Sequence, residues 1–386
     1  QYRDWYCNVN FQGNNEYNDG FSYDNWGGYN LLVKLNQQNS AVRKYLLDVV
    51  KYWVSEFDVD GIRLDAADVL DFGFMHELRM LANEIKPEFW LMGEVIHGDY
   101  SRWVNSDMLH SVTNYQLYKA LYSGHNEHNY FEIAHTVRYL LDKGNLPYHL
   151  YNFVDNHDVE RIYTRLLNKH EFVPVHILMY TLPGIPSVYY GSEFGIEGRK
   201  EKHSDAVLRP AINLEDYPNA LDENGCTNII ARLGEIRQKN SVFSDGIYQE
   251  LRLTNRQYAF SRTNEIKQAI VVVNNDEVDS SLDIPATGTY TELLSGEIQS
   301  VDGNLHVHLH ACSGQIWMED YDETVTRKRE VKIPEIKQVA VKEETIKQVT
   351  VDHSKSYEEM SIEELQACVL EKLAKNGPVT EQMKRD

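Results

Sequence analysis

Val59-Asp-Gly-Ile-Arg-Leu-Asp65 is a short apolar run that ends in a carboxylate, and the chain repeats that pattern twice. Phe89-Trp-Leu-Met-Gly-Glu-Val95 carries Glu94 near its end, and Leu150-Tyr-Asn-Phe-Val-Asp-Asn-His-Asp158 closes on Asp158. Between these runs the apolar spacing is helical: Val42, Tyr45, Leu46, Val49, Val50 and Trp53 recur every three or four residues. A second helical stretch spans about 72–86 and ends at Pro87. Ser111-Val-Thr113 and Pro186-Ser-Val-Tyr-Tyr190 continue the alternation. Short apolar strands alternating with longer helices imply a parallel sheet with helical crossovers. In α/β barrels the chemistry sits at the C-terminal strand ends, so three strand-end acids mark a candidate catalytic face.

Side-chain alternation along the first run puts Gly61, Arg63 and Asp65 on one face and Ile62 and Leu64 on the other. An arginine two residues before an aspartate holds that carboxylate ionised, which suits a nucleophile at an anomeric carbon, although the spacing alone more often marks a structural Arg–Asp pair. Glu94 follows Phe89, Trp90, Leu91 and Met92, and a carboxyl desolvated by such neighbours donates a proton near neutrality. Asn156-His157-Asp158 adds a third acid with an imidazole beside it. His157 has no second histidine at ligand spacing, so it reads as a hydrogen-bond donor to a substrate hydroxyl, and no metal site is assigned. Trp26, Tyr23 and Tyr29 lie in a turn-rich opening segment and offer faces for stacking on sugar rings, or brace their own loop.

A formal net charge of -21 speaks against nucleic-acid or anionic-membrane partners, both of which need a basic face. No apolar run approaches the length of a bilayer span. Cys7, Cys226, Cys312 and Cys368 show no paired spacing, which excludes a zinc ribbon and suits a reducing, cytoplasmic compartment. Nothing in the sequence sets the oligomeric state.

Residues 1–40 read as a loop-rich insertion and residues 41–240 as the α/β part. The texture then changes. Over 241–318, Tyr258-Ala-Phe260, Gln268-Ala-Ile-Val-Val-Val273, Leu282-Asp-Ile284, Tyr290-Thr-Glu-Leu293 and His306-Val-His-Leu309 are short strands separated by turn residues, the signature of an antiparallel β-sandwich. Residues 319–386 read as a charged linker with a near-repeat (Ile336-Lys-Gln-Val-Ala-Val341, Ile346-Lys-Gln-Val-Thr-Val351) and a helical tail opened by a capping box at Ser361.

Asp60-Gly-Ile-Arg-Leu-Asp-Ala-Ala-Asp68, Gly93-Glu-Val95 and Phe153-Val-Asp-Asn-His-Asp158 resemble three motifs of the α-amylase family of glycoside hydrolases, including its neopullulanase- and maltodextrin-hydrolase-like members. They stand in the family's order. Leu32-Val-Lys-Leu-Asn36 is similar to a further motif, with Val33 where proline is usual, and residues 184–195 resemble the strand-eight segment, with Ser192 where aspartate is common. Leu208-Arg-Pro210 also fits. The resemblance implies a (β/α)8 TIM-type barrel followed by the β-sandwich. It implies a nucleophile at Asp65, a general acid/base at Glu94 and a transition-state-stabilising acid at Asp158, with Arg63, His157, Asn156 and Trp26 toward substrate. The implied activity is retaining hydrolysis of α-1,4-glucosidic bonds in starch, maltodextrin or related α-glucans. No cofactor is required by that chemistry; calcium is common in the family, but its ligands are not assignable here.

Relative to the family pattern, no counterpart of the first three barrel strands precedes Gln1, so strands four to eight are expected. Transglycosylases and sucrose- or trehalose-active relatives share the three acids, and an inactive fragment serving as a glucan-binding or scaffold protein is the reading from another class.

Overall fold

Residues 2–202 and 204–320 are described in the computed structural model. The opening segment turns back on itself in a small hairpin, β1 (Asn25–Trp26) and β2 (Tyr29–Val33). Helix α1 (Ser40–Phe57) starts where the Asn39 side chain accepts from Ala41 N–H, and it stops at Asp58 in a left-handed conformation. Strand β3 (Gly61–Leu64), helix α2 (Phe72–Ile85), strand β4 (Trp90–Gly93) and strand β5 (Ser111–Val112) follow. Helices α3 (Tyr115–Asn126) and α4 (Tyr130–Leu141) come next, then β6 (Tyr151–Asn152) and the single turn α5 (Ile162–Arg165). Helix α6 (Phe172–Thr181) precedes β7 (Ile185–Pro186), and α7 (Ala220–Glu223), α8 (Gly225–Lys239) and α9 (Val242–Asp245) complete this part.

The five short strands run parallel in sequential order. β4 pairs with β3 and β5, and β6 pairs with β7. A parallel bridge between Thr113 and Tyr151 joins the two groups into one arc. Among the described residues β3 pairs only with β4 and β7 only with β6. Gly61 is required at the tight approach of β3 to β4, because a Cβ there would run into the Trp90 carbonyl. The α1 face expected to be buried is only partly so: Val42 and Val50 are covered, while Tyr45 and Trp53 are exposed. Periodicity gives the face of a helix, not what lies against it.

After Ile247 the chain forms strands β8 (Ile247–Leu253), β9 (Gln257–Thr263), β10 (Gln268–Asn274), β11 (Ser280–Glu292), β12 (Ile298–Leu309) and β13 (Ser313–Glu319). They make one antiparallel sheet in the order β12-β11-β13-β10-β9-β8. The two layers of the expected sandwich come from this single sheet, because the long β11–β12 hairpin curls back until β12 lies against β10. Alternation along β10 then serves two cores. Ala269, Val271 and Val273 face the helices, and Ile270 and Val272 face Leu305, Val307, Leu309 and Trp317. Helix α6 is apolar on every side and packs between α8 and strands β10 and β13. Each such fully buried Val or Ile is worth about 1.5–3 kcal/mol. The linker and helical tail expected over 319–386 lie outside the described residues beyond Asp320.

Candidate active site

Parallel register decides where the first two acids emerge. Leu64 pairs with Gly93, so the next residue on each strand, Asp65 and Glu94, leaves the sheet beside the other. Glu94 N–H donates to the Leu64 carbonyl at 2.8 Å, and its own carbonyl accepts from Ala67 N–H at 2.8 Å, which fixes the turn. Ala66 takes a left-handed φ of 44° to make that turn, an uncommon conformation for a residue with a Cβ. Gly93 has no room for a side chain: a Cβ there would stand 2.5 Å from Leu109 Cδ1.

One guanidinium joins the two acids. Arg63 Nη1 is 3.2 Å from Asp65 Oδ1 and Arg63 Nη2 is 3.0 Å from Glu94 Oε2. The two carboxylates are therefore held within the span of a single planar fork and its two hydrogen bonds. Glu94 is 8% exposed, whereas the Asp65 side chain is 82% exposed. The sequence leaves open whether Phe89, Trp90, Leu91 and Met92 surround the Glu94 carboxyl. Phe89 and Leu91 pack into the core below, Trp90 lies against the Tyr151 ring, and the Glu94 oxygens meet Arg63 and the Tyr115 hydroxyl.

Tyr115 extends the site toward the third acid. Its hydroxyl donates to Glu94 Oε1 at 3.2 Å and accepts from Asn156 Nδ2 at 3.1 Å. Burial pushes the Tyr115 pKa up to about 12, so the hydroxyl keeps its proton. Asn156 Oδ1 accepts from Asp158 N–H at 2.8 Å and from Val159 N–H at 3.2 Å, shaping the turn that presents Asp158. Asp158 Oδ1 is paired with Arg209 Nη2 at 2.7 Å, and Asp158 Oδ2 lies 3.2 Å from His157 Nε2. The imidazole expected to face a substrate hydroxyl thus already faces the adjacent carboxylate, because the turn folds both side chains the same way.

Sequence reasoning did not single out Tyr115 or the partner role of Arg209. Tyr115 opens the helix after the Ser111–Val112 strand, where no local pattern marks its partner, and Arg209 is 51 residues from Asp158. Trp26 stacks on Tyr29 with ring centroids 6.0 Å apart, and Trp26 lines, with Arg63 and Asp65, a cavity of about 730 Å³. Tyr23 instead braces its loop, its hydroxyl donating to the Asn30 carbonyl at 2.9 Å.

Behind the acids lies a buried support. Ser192 Oγ is 2.9 and 2.8 Å from the two oxygens of Asp155, whose carboxyl is pushed up to about 6 by burial. Buried Arg161 donates to the Tyr190 carbonyl at 2.6 Å and the Leu208 carbonyl at 2.8 Å, and lies over the Tyr189 ring. These contacts tie residues 184–195 to the loop that carries Asp158 and explain why a serine works at 192.

Residues 1–235 match the model of the alpha amylase catalytic domain, and residues 252–344 match that of the alpha amylase C-terminal all-beta domain. The chain belongs to the α-amylase family. Among curated α-amylase relatives, an intracellular maltogenic amylase of Bacillus subtilis is 29% identical over 286 residues, 72% of this chain and 46% of that protein. A cyclomaltodextrinase of Thermoanaerobacter pseudethanolicus is 31% identical over 249 residues, 63% of this chain and 42% of that protein. Neopullulanase 2 of Thermoactinomyces vulgaris is 29% identical over 297 residues, covering 74% and 49%. The chain spans about half the length of the curated relatives it matches. Among solved structures, a cyclomaltodextrinase superposes with a TM-score of 0.72 at 23% identity, covering 83% of this chain and 55% of that one. An Anoxybacillus alpha-amylase does so with a TM-score of 0.68 at 22% identity, covering 83% and 71%. These two likenesses establish the α-amylase fold: the barrel and its C-terminal β domain.

Proposed function

We propose that these residues form the centre of a retaining glycoside hydrolase that cleaves α-1,4-glucosidic bonds in starch, maltodextrin or related α-glucans. The observation that carries this reading is the single Arg63 guanidinium shared by Asp65 and Glu94. Retention needs two carboxyl groups about 5–5.5 Å apart, and a guanidinium bonded to both keeps this pair close together. In the first step Glu94 protonates the glycosidic oxygen while an Asp65 oxygen bonds to the anomeric carbon. The leaving sugar departs with that proton, and a glycosyl ester on Asp65 remains. In the second step Glu94 takes a proton from water, the water oxygen displaces Asp65, and the sugar leaves with its original configuration. Asp158 and His157 would hold ring hydroxyls, and Trp26 would offer a stacking face. The reaction so written uses only carboxyl groups and water. A cytoplasmic location is supported by the name of the intracellular relative, and no helix among the described residues is long and apolar enough to cross a membrane.

The test is proton NMR of fresh digests by an active polypeptide containing these residues. Newly formed α-anomers from maltoheptaose support the reading, and initial β-anomers overturn it. Chromatography of products from maltotriose, cyclodextrin, pullulan and sucrose separates hydrolysis from transglycosylation and from sucrose-directed activity. A second reading, glucan binding without turnover, is favoured by the 82% exposure of the Asp65 side chain, since an open nucleophile is poorly shielded from water. Saturable maltodextrin binding with no reducing sugar released would select it.

A further inference from the structure

The outer face of the C-terminal sheet carries a second group of chemistry-bearing side chains, unrelated to the barrel acids. Strand β12 buries Leu305, Val307 and Leu309, and alternation sends His306 and His308 outward, with His310 continuing the row just past the strand. The antiparallel register sets Ser281 opposite His308 and Ser280 opposite Leu309, so Asp279 comes beside His310 at the open end of the β11–β12 hairpin. Asp279 Oδ2 lies 3.1 Å from His310 Nδ1 and 3.5 Å from His308 Nε2. The three ligand atoms all lie within 4.8 Å of one another.

We propose that Asp279, His308 and His310 form a site for a divalent transition-metal ion of the zinc class. Zinc–nitrogen and zinc–oxygen bonds of about 2.0–2.2 Å in a tetrahedron place neighbouring ligand atoms about 3.3–3.5 Å apart; the His308 contact of Asp279, at 3.5 Å, matches this and the His310 contact, at 3.1 Å, is slightly shorter. Two imidazoles and a carboxylate suit zinc, nickel or copper better than magnesium or calcium, which prefer all-oxygen shells. The supporting contacts also fit. His308 Nδ1 lies 3.1 Å from Ser281 Oγ, which orients the ring with Nε2 toward Asp279. The other Asp279 oxygen accepts from Ala311 N–H at 3.0 Å, leaving Oδ2 for the ion. All three side chains are exposed, so solvent supplies the fourth ligand and the entry path. A bound ion would tie the start of β11 to the end of β12 and pin the hairpin where it opens. His306, paired with Asp283 at 2.5 Å, stands outside the set.

The test is competition between the full chain and a chromophoric chelator for Zn(II) at low protein concentration, paired with Co(II) absorption spectra. One Zn(II) per chain is expected at this site, with tetrahedral-type Co(II) bands. His308→Ala and His310→Ala should each weaken that binding at least tenfold, Ser281→Ala by ~10-fold, and His306→Ala by less than twofold. Zn(II) should raise the Tm of the parent chain and of His306→Ala but not of the His308→Ala/His310→Ala double variant. Because all these positions are on the surface, the metal-free Tm of each variant reports that it is folded. Equal Zn(II) affinity in the parent and the double variant would overturn the site, as would loss of binding in His306→Ala with retention in His308→Ala.

Discussion

The hydroxyl of Tyr115 donates to Glu94 Oε1 at 3.2 Å, and the same hydroxyl accepts from Asn156 at 3.1 Å. A residue that follows the third strand of the arc thereby couples an acid after the second to the turn that presents Asp158 after the fourth. Removing the hydroxyl leaves Glu94 Oε1 without that donor, and the carboxylate is then oriented through Oε2 by Arg63 at 3.0 Å and the Ala66 N–H at 3.4 Å. Tyr115→Phe should keep the fold and lower kcat on maltodextrin, by up to about 10²-fold, with KM changed little. Steady-state kinetics on an active polypeptide containing these residues checks this; a variant with parental kcat means Tyr115 merely fills space.

Asp65→Asn and Glu94→Gln remove the nucleophile and the proton donor of the proposed reaction while conserving shape. Each should cut turnover by about 10³-fold or more with Tm nearly unchanged. Glu94→Gln should recover activity on a substrate with an activated leaving group in the first step, because protonation is then dispensable. Near-parental turnover in either variant would remove the role assignment.

Ser192 is the hydroxyl partner of the buried Asp155 carboxylate. Ser192→Ala deletes it and leaves Asp155 chiefly the Ile162 N–H at 2.8 Å. The expected cost is about 1–3 kcal/mol, read as a fall of several degrees in Tm by calorimetry. Unchanged Tm would mean that water or a shifted Arg161 replaces the serine.

Glu171 is almost fully buried, neither of its oxygens has a hydrogen-bond partner, and His128 Nδ1 stands 3.6 Å away. Burial first, then the Glu277 charge, pushes its carboxyl up to about 7 from an ordinary 4.5, against the opposing pull of Arg256. Between those values the folded chain holds a proton that the unfolded chain has lost, so this group's contribution to stability falls as pH rises from about 4.5 to 7. Glu171→Gln should flatten that part of the Tm–pH curve and raise Tm at pH values above about 7. A parallel curve for the variant would show that the carboxylate finds solvent when it ionises.

Exposed aromatic and aliphatic side chains are concentrated on the β1–β2 hairpin and on α1: Tyr29, Leu31, Tyr45, Tyr52, Trp53 and Phe57 are all open to solvent. Beside them β3 has no further strand on its outer edge among the described residues. Apolar patches and free edges of this kind drive association. The 386-residue chain on its own should therefore lose solubility as its concentration rises and release no sugar from starch. Light scattering after size exclusion, with a reducing-sugar assay, measures both; a monodisperse, active preparation would refute the prediction.

The sequence by itself determined the family, the strand–helix alternation and the three acids, because each is written in a few consecutive residues. Gly61-Ile-Arg-Leu-Asp65 needs only strand alternation to place Arg63 and Asp65 on one face. What lies around those residues is not local. The tertiary structure decided that Arg63 also holds Glu94, that Glu94 faces a guanidinium and a phenol, not the apolar run before it, and that Arg209 binds Asp158. It likewise built the two layers of the expected sandwich from one curled sheet and set Asp279 beside His308 and His310. Each of these depends on the register between strands or on residues 21 to 51 positions apart, where a shift of one position would turn a side chain to the opposite face. Periodicity fixes the face a residue takes on its own element; only packing chooses its partner.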